Sequence, residues 1–127
     1  MLKNSTIIGI PTKLDTTFFR HWVEFLKPLH KINDRDCDIL AELLHQRHLL
    51  LKKMGEDRLV EKLVLSREIK AAVCECCNIT PGYLEVIIHH LRKKGAIVDN
   101  RINGKFIPKF DSDEKDAKLI VHFRITE

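Results

Sequence analysis

The chain has 127 residues, of which 44% are hydrophobic and 31% are charged, and it contains only 5 Gly and 4 Pro. This length and composition predict one globular domain with a buried core and exclude a disordered chain. No apolar run approaches 18 residues and the N-terminus lacks the long apolar region of a signal peptide, so we expect a protein made in a cytoplasm, without membrane contact. The formal net charge of +4 permits a nucleic-acid partner without indicating one.

Residues 1–14 favour an extended N-terminal arm rather than a helix. Ile7, Ile8 and Ile10 are β-branched, and Pro11 opposes a helix. Such an arm cannot bury its isoleucines on itself. It must lie across its own core or reach a neighbouring chain, for example by strand addition.

An aromatic-rich helix is predicted next, capped by Asp15 or Thr16 and ended by Pro28. It holds half of the aromatic rings of the chain, spread over more than one face. Core packing explains most of such rings, but aromatic side chains are also enriched at interface anchors. The candidate partner-binding residues of the arm and this helix are Ile7, Ile8, Ile10, Phe18, Phe19 and Trp22.

Two further helices are predicted before residue 66. Asn33 is a cap candidate, and the flanking pair Ile32 and Cys37 has the spacing of a hydrophobic staple. The apolar pattern of this second helix continues to Gly55, and residues 57–65 form another amphipathic piece.

Residues 66–95 have the pattern of a helix-turn-helix. Asn78 and Thr80 offer N-cap side chains, Pro81 fits a first helical position, and Gly95 suits a C-terminal left-handed residue. An apolar stripe at i, i+3, i+4 and i+7 runs between them, formed by Leu84, Ile87, Ile88 and Leu91.

The last quarter of the chain, residues 97–125, is predicted to form a β-hairpin. Asn103 and Gly104 form a strong tight-turn dipeptide. Residues 105–110 and 117–125 are predicted as antiparallel partners, the second with one buried face. Pro108 then requires an edge or bulge position.

These elements predict an α+β fold: a mostly helical winged helix with a C-terminal β-hairpin wing and an extended N-terminal arm. The arm spans residues 1–14 and the winged-helix domain spans residues 15–127. Within that domain, the helix-turn-helix covers 66–95 and the hairpin covers 97–125.

The charges are poorly placed for reading DNA. The exposed start of the second helix of the helix-turn-helix carries no cation, and Glu85 there would face phosphates. The loop 111–116 has a net charge of −3, one positive minus four negative residues, which repels a polyanion. Protein contacts are therefore favoured over DNA reading. The candidate DNA-binding residues that remain are Thr80, Tyr83, Arg101, Lys105 and Lys109.

Signals for catalysis and cofactors are weak. Cys74 and Cys77 have a C-x-x-C spacing, but the sequence offers no second ligand pair at zinc-finger spacing, so core packing is the preferred interpretation. No nucleophile elbow, P-loop, zinc-protease or dinucleotide motif is present in the sequence. We therefore expect a protein that is not an enzyme and has no metal and no cofactor.

The segment IIGIPTKLDTTFFRHWVEFLKPLHK, the helix-turn-helix and RINGKFIPKF together resemble short virion-associated proteins of crAss-like tailed bacteriophages. The resemblance covers essentially the whole chain. It implies a capsid-associated or other accessory structural protein, located in the virion after synthesis in the host cytoplasm, with other virion proteins as partners. A winged-helix phage transcription regulator is the alternative, and self-association through the aromatic helix is compatible with both.

Overall fold

The structure is a computed structural model, and it describes residues 6–110 and 116–126. In this part of the chain, five helices precede a two-stranded antiparallel sheet and a short 3-10 turn. The α+β class expected from the sequence is confirmed at this level. The elements are α1 (Thr16–His30), α2 (Asp34–Met54), α3 (Asp57–Leu63), α4 (Arg67–Cys77), α5 (Pro81–Lys93), β1 (Ile97–Val98), β2 (Arg101–Ile102) and η1 (Gly104–Phe106).

Side-chain caps define where four of the helices begin, because an oxygen on the cap residue accepts a hydrogen bond from a free amide of the first turn. The predicted caps Asn33 and Thr80 are confirmed, as is Asp15 rather than Thr16 for α1. Asn78 instead ends α4 in the left-handed conformation, with φ of 54°. In each cap, the side-chain oxygen of the first residue accepts from the backbone amide of the second: Asp15 and Thr17 (2.8 Å), Asn33 and Asp36 (2.8 Å), Ser66 and Ile69 (3.4 Å), and Thr80 and Tyr83 (3.2 Å).

The prediction that Pro28 ends α1 is wrong, since the helix continues to His30. Proline removes one amide in the last turn, and the His30 side chain fixes the chain there. Its Nδ1 accepts from the Ile32 amide at 2.9 Å, so the ring is protonated at Nε2, which donates to the Val23 carbonyl at 2.9 Å. Burial lowers the pKa of His30, which favours the neutral imidazole that this pair of bonds requires.

The core forms around α2, which packs against α1, α3, α4 and α5. Six of its apolar residues are almost completely buried because α2 has neighbours on several sides. From the other helices, the core receives Val23, Leu26, Val73, Ile87 and Leu91, among others. The α2 residues are Cys37, Ile39, Leu40, Ala41, Leu43 and Leu44.

The turn of the small hairpin lies at a different place from the predicted one. Strand β1 pairs with β2 in the register Ile97 to Ile102, and the connecting Asp99 and Asn100 have φ of 53° and 59°. Two successive residues with positive φ are the requirement of a type I′ turn, which Asn and Asp tolerate.

Asn103 and Gly104, the predicted turn, instead open the 3-10 turn η1. The Asn103 side chain accepts from the Lys105 amide at 3.2 Å and donates to the Gly95 carbonyl at 3.0 Å. These bonds fix the dipeptide against the end of α5. The turn-forming chemistry of Asn103 is therefore used as a cap.

The predicted antiparallel pair of residues 105–110 and 117–125 is also wrong. The described residues contain one isolated bridge between the two segments, from Phe110 to Ala117. Residues 118–126 form no helix or strand, and all of them are exposed, so no buried face exists. The 3-10 turn η1 and Pro108, which has no amide hydrogen, interrupt the ladder on the other side.

Replacing Trp22 with Phe tests the contact between α1 and the segment after the sheet. The Trp22 Nε1–H donates to the buried Phe106 carbonyl at 2.9 Å, and the variant leaves that carbonyl unsatisfied. We expect the free energy of unfolding to fall by about 1–3 kcal/mol, measured by urea denaturation followed by circular dichroism. The control Phe25→Leu, at an exposed position of the same helix, should change it by about 0.5 kcal/mol or less. Equal effects would contradict this role of the indole.

The lowered pKa of His30 predicts a loss of stability on acidification. Below the unfolded-state pKa of about 6.5, the unfolded chain binds more protons than the folded chain, so the free energy of unfolding falls until pH passes the folded pKa. His30→Gln should flatten this slope, measured by urea denaturation at pH values from 7.5 to 5. The exposed His21→Gln is the control, and an unchanged slope in the His30 variant would contradict the assignment.

Candidate interaction surfaces

The described part of the arm carries three exposed isoleucines. Residues 6–13 form no helix or strand, and the exposed fractions are 92% for Ile7, 79% for Ile8 and 46% for Ile10. The arm does not lie across the core in the described structure. Its three isoleucines are therefore accessible to another chain.

The aromatic residues predicted for partner binding divide between core and surface. Phe19 and Trp22 are buried, so the prediction that they bind a partner is corrected: they face the interior of their own chain. Phe18 is half-buried, with its ring centroid 5.0 Å from that of Phe19 and 5.3 Å from that of Phe110. The C-terminal segment covers this side of α1, which the sequence alone does not indicate.

Two exposed apolar residues of α1 escaped the sequence prediction. Phe25 is 55% exposed and Leu29 is 82% exposed. With Phe18 they follow the spacing i, i+7 and i+11, which places all three on one side of a helix. We call Phe18, Phe25 and Leu29 the outer stripe of α1. That spacing was the available signal, but the predicted helix end at Pro28 obscured it.

The first two candidate DNA-binding residues lie at the start of α5. The Thr80 side chain is the cap of the helix, and Tyr83 is 44% exposed, with the Arg35 guanidinium 5.7 Å from its ring centroid. The Glu85 carboxylate accepts from the Lys70 ammonium at 2.8 Å. An exposed pair of this kind neutralises the charge locally and adds little stability.

Of the other three candidates, Arg101 and Lys105 lie in and next to the hairpin that adjoins the opposite end of α5. Arg101 donates to the Glu61 carboxylate at 3.1 Å, the Lys105 ammonium lies 5.9 Å from the Phe106 ring centroid, and Lys109 is exposed. From Thr80 to the helix end that contacts the hairpin, α5 spans roughly 18 Å at 1.5 Å per residue. Thr80 and Tyr83 are therefore separate from Arg101 and Lys105.

Basic residues at the C-terminal end of α5 adjoin the hairpin turn. Arg92 donates to the Asn100 side chain at 3.3 Å, and Lys93 and Lys94 are exposed beside it. Cations there stabilise the helix dipole. A shallow pocket nearby has mixed charge, because its lining residues are Arg58, Glu61, Lys62, Asp99, Asn100 and Arg101.

The acidic loop predicted at 111–116 falls mainly outside the described residues. Only Asp116 of that loop is described, and it is exposed. The net charge of −3 is a property of the sequence, and the expected repulsion of a polyanion stays a prediction.

The buried Cys37 and the partly buried Cys77 are poor nucleophiles and poor metal ligands. Burial raises the pKa of Cys37 and of Cys77 to about 11, so both remain thiols at neutral pH, whereas the thiolate is the reactive form. Within residues 6–110 and 116–126, no group of three or more His, Cys, Asp or Glu side chains is arranged to hold a metal ion.

No helix of the described chain is by itself both long and apolar enough to cross a bilayer, and only α4 and α5 taken together meet the criteria of length and composition. These two helices are bent by 104° relative to each other.

No protein family, curated protein or solved structure matches this chain.

Alkylation should distinguish the cysteines by burial. Cys76 is exposed, whereas Cys37 is fully buried, and at pH 8 a thiol of pKa near 11 is roughly one part in a thousand thiolate. We expect iodoacetamide to label Cys76 first and Cys37 last, measured by peptide mass spectrometry over time. In urea, the difference should disappear. Labelling of Cys37 as fast as Cys76 in the folded protein would contradict the assigned burial.

Proposed function

We propose that this chain is a winged-helix protein that serves as a non-enzymatic accessory component of a tailed phage particle. In this proposal it binds other virion proteins through its N-terminal arm. The observation that carries the docking role is the exposure of three isoleucines on an arm without secondary structure. The phage context rests on the resemblance of the sequence alone.

The winged-helix assignment is supported by the two helices that precede the hairpin. Helices α4 and α5 are joined by three residues and bent by 104°, which falls in the range of helix-turn-helix units. Strands β1 and β2 follow α5 directly, as a wing follows the second helix. This hairpin is short, with two residues in each strand, and it projects Asp99 and Asn100 rather than cations.

An apolar arm suits contact with protein better than contact with nucleic acid. Affinity for DNA comes largely from cations that replace counterions on the phosphates. Here Arg101 is paired with Glu61 and Lys70 is paired with Glu85, so the charge of each cation is already neutralised by a carboxylate of the same chain. By contrast, the side chains of Ile7 and Ile8 have no polar groups that must be dehydrated, so their burial against a protein partner is favourable.

The experiment is to replace all three arm isoleucines, as Ile7→Ser, Ile8→Ser and Ile10→Ser, and to quantify the protein in purified particles by mass spectrometry. We expect the amount of protein in the particles to fall at least about tenfold. The three isoleucines would contribute several kcal/mol to the binding free energy through apolar burial, and the serines would not. The circular dichroism spectrum should not change, since the arm contributes no helix.

The matched control replaces three exposed apolar residues far from the arm in sequence, Leu59, Val86 and Val98, with serine. This control should enter particles normally. Unchanged incorporation of the arm variant would overturn the docking role.

The alternative is a DNA-binding phage regulator, and the exposed Tyr83 together with the geometry of α4 and α5 favours it. It predicts tight binding to duplex DNA that weakens steeply with salt, and loss of that binding on replacing Arg101, Lys105 and Lys109 with alanine. That result, combined with scarcity of the protein in purified particles, would establish the regulator in place of the particle component.

A further inference from the structure

The C-terminal tail, residues 118–126, is a second exposed apolar segment of the described chain, and its exposure increases toward residue 125. Its odd-numbered residues Leu119, Val121, Phe123 and Ile125 are 40%, 57%, 82% and 93% exposed. Lys118, His122 and Arg124 alternate with them, and Ile120, 73% exposed, is the one apolar residue among these even-numbered positions. This period of two is typical of a strand with one apolar face, yet the tail is unpaired beyond Ala117 in the described residues.

The segment that bridges to the tail, residues 105–110, gives it little backbone to pair with. The bridge between Phe110 and Ala117 is antiparallel, so a longer ladder would place residue 119 opposite Pro108 and residue 121 opposite Phe106. Pro108 has no amide hydrogen to donate, and Phe106 lies in the 3-10 turn η1. Backbone groups from residue 121 onward therefore have no continuation of this ladder within the described chain.

We infer that the tails of two copies of this chain pair as antiparallel strands about a two-fold axis at His122. This register overlaps residues 118–126 of both copies completely. It places Leu119 opposite Ile125 and Val121 opposite Phe123, so that every apolar residue of the odd-numbered face meets another. Cross-strand apolar pairs of this kind stabilise sheets, and a two-fold interface uses the same surface of both copies.

The outer stripe of α1 gives the apolar face of the paired tails a surface to lie on. The ring contact between Phe18 and Phe110, 5.3 Å between centroids, places the start of the tail beside that stripe. Each copy contributes four tail residues together with the exposed Phe25 and Leu29. Burying an apolar side chain removes about 100 Å² of its surface from water. The twelve side chains of the two copies would therefore bury roughly 1,200 Å² in total, which reaches the range of specific interfaces.

The opposite face of the paired tails stays in water. It carries Lys118, His122 and Arg124 from each copy together with one exposed apolar residue, Ile120, which lies opposite Arg124 of the other copy. Charged side chains on a strand oppose further edge-to-edge association. The predicted assembly is therefore a dimer rather than a fibre. This inference does not rest on the proposed particle role, because the arm and the tail are separate segments.

Disulfide trapping tests the register. In a chain carrying Cys74→Ala, Cys76→Ala and Cys77→Ala, the variant His122→Cys places two thiols directly opposite each other across the axis. Mild oxidation should convert it to covalent dimer. The matched control Ile120→Cys faces Arg124 of the other copy, and it should cross-link at least about tenfold more slowly, because its thiols lie beyond disulfide reach. Equal rates for the two variants would overturn the register.

Sedimentation equilibrium tests the pairing itself. The wild-type chain should show a concentration-dependent dimer, and V121K combined with F123K should shift it to monomer. The control K118Q combined with R124Q, on the opposite face, should remain dimeric. A wild-type chain that is monomeric at high micromolar concentration, including one whose tail folds onto its own domain, would overturn the inference. Both experiments use the purified chain alone, so their outcome is independent of incorporation into particles.

Discussion

The Trp22 indole links α1 to the segment that follows the sheet, through its hydrogen bond to the Phe106 carbonyl at 2.9 Å. These residues are 84 positions apart in the sequence, so this contact fixes how the C-terminal part of the chain closes over the helices. Trp22 and Phe19 are both buried, and the largest exposed fractions among the apolar side chains belong to the arm, the outer stripe of α1 and the tail. The accessible surfaces of the molecule follow from that division.

The helices could be predicted from the sequence because their signals are local. A cap such as Ser66 or Thr80 acts on an amide three residues away, and the apolar stripe of α5 depends only on helical periodicity. The hairpin turn could not be predicted in the same way. Both Asp99-Asn100 and Asn103-Gly104 have turn chemistry, and in the structure the Asn103 side chain instead donates to the Gly95 carbonyl. That contact exists only in the folded chain.

The candidate surfaces could likewise be predicted only where the signal is local. The absence of a helix in the arm follows from local composition, since Gly9 and Pro11 oppose one. The exposure of Ile7, Ile8 and Ile10 does not, because the sequence is compatible with an arm that lies across its own core. Which rings of α1 are covered depends on α2 and on Phe110, and no periodicity in the sequence supplies that information. The tail is a second example. Its alternation of apolar and polar residues is a local signal, but a strand also requires a paired segment. Pro108 and η1 interrupt the segment that would pair with the tail.

The central claim is that the arm, rather than a basic ridge at α5 and the hairpin, is the binding surface. Hydrogen–deuterium exchange of the free protein and of the protein in purified particles tests this claim most directly. The account predicts that amides 6–14 exchange rapidly in the free protein and become protected in the particle, while amides 80–86 and 99–109 are unchanged. Protection confined to 80–86 and 99–109, with an arm that exchanges equally in both states, would contradict it.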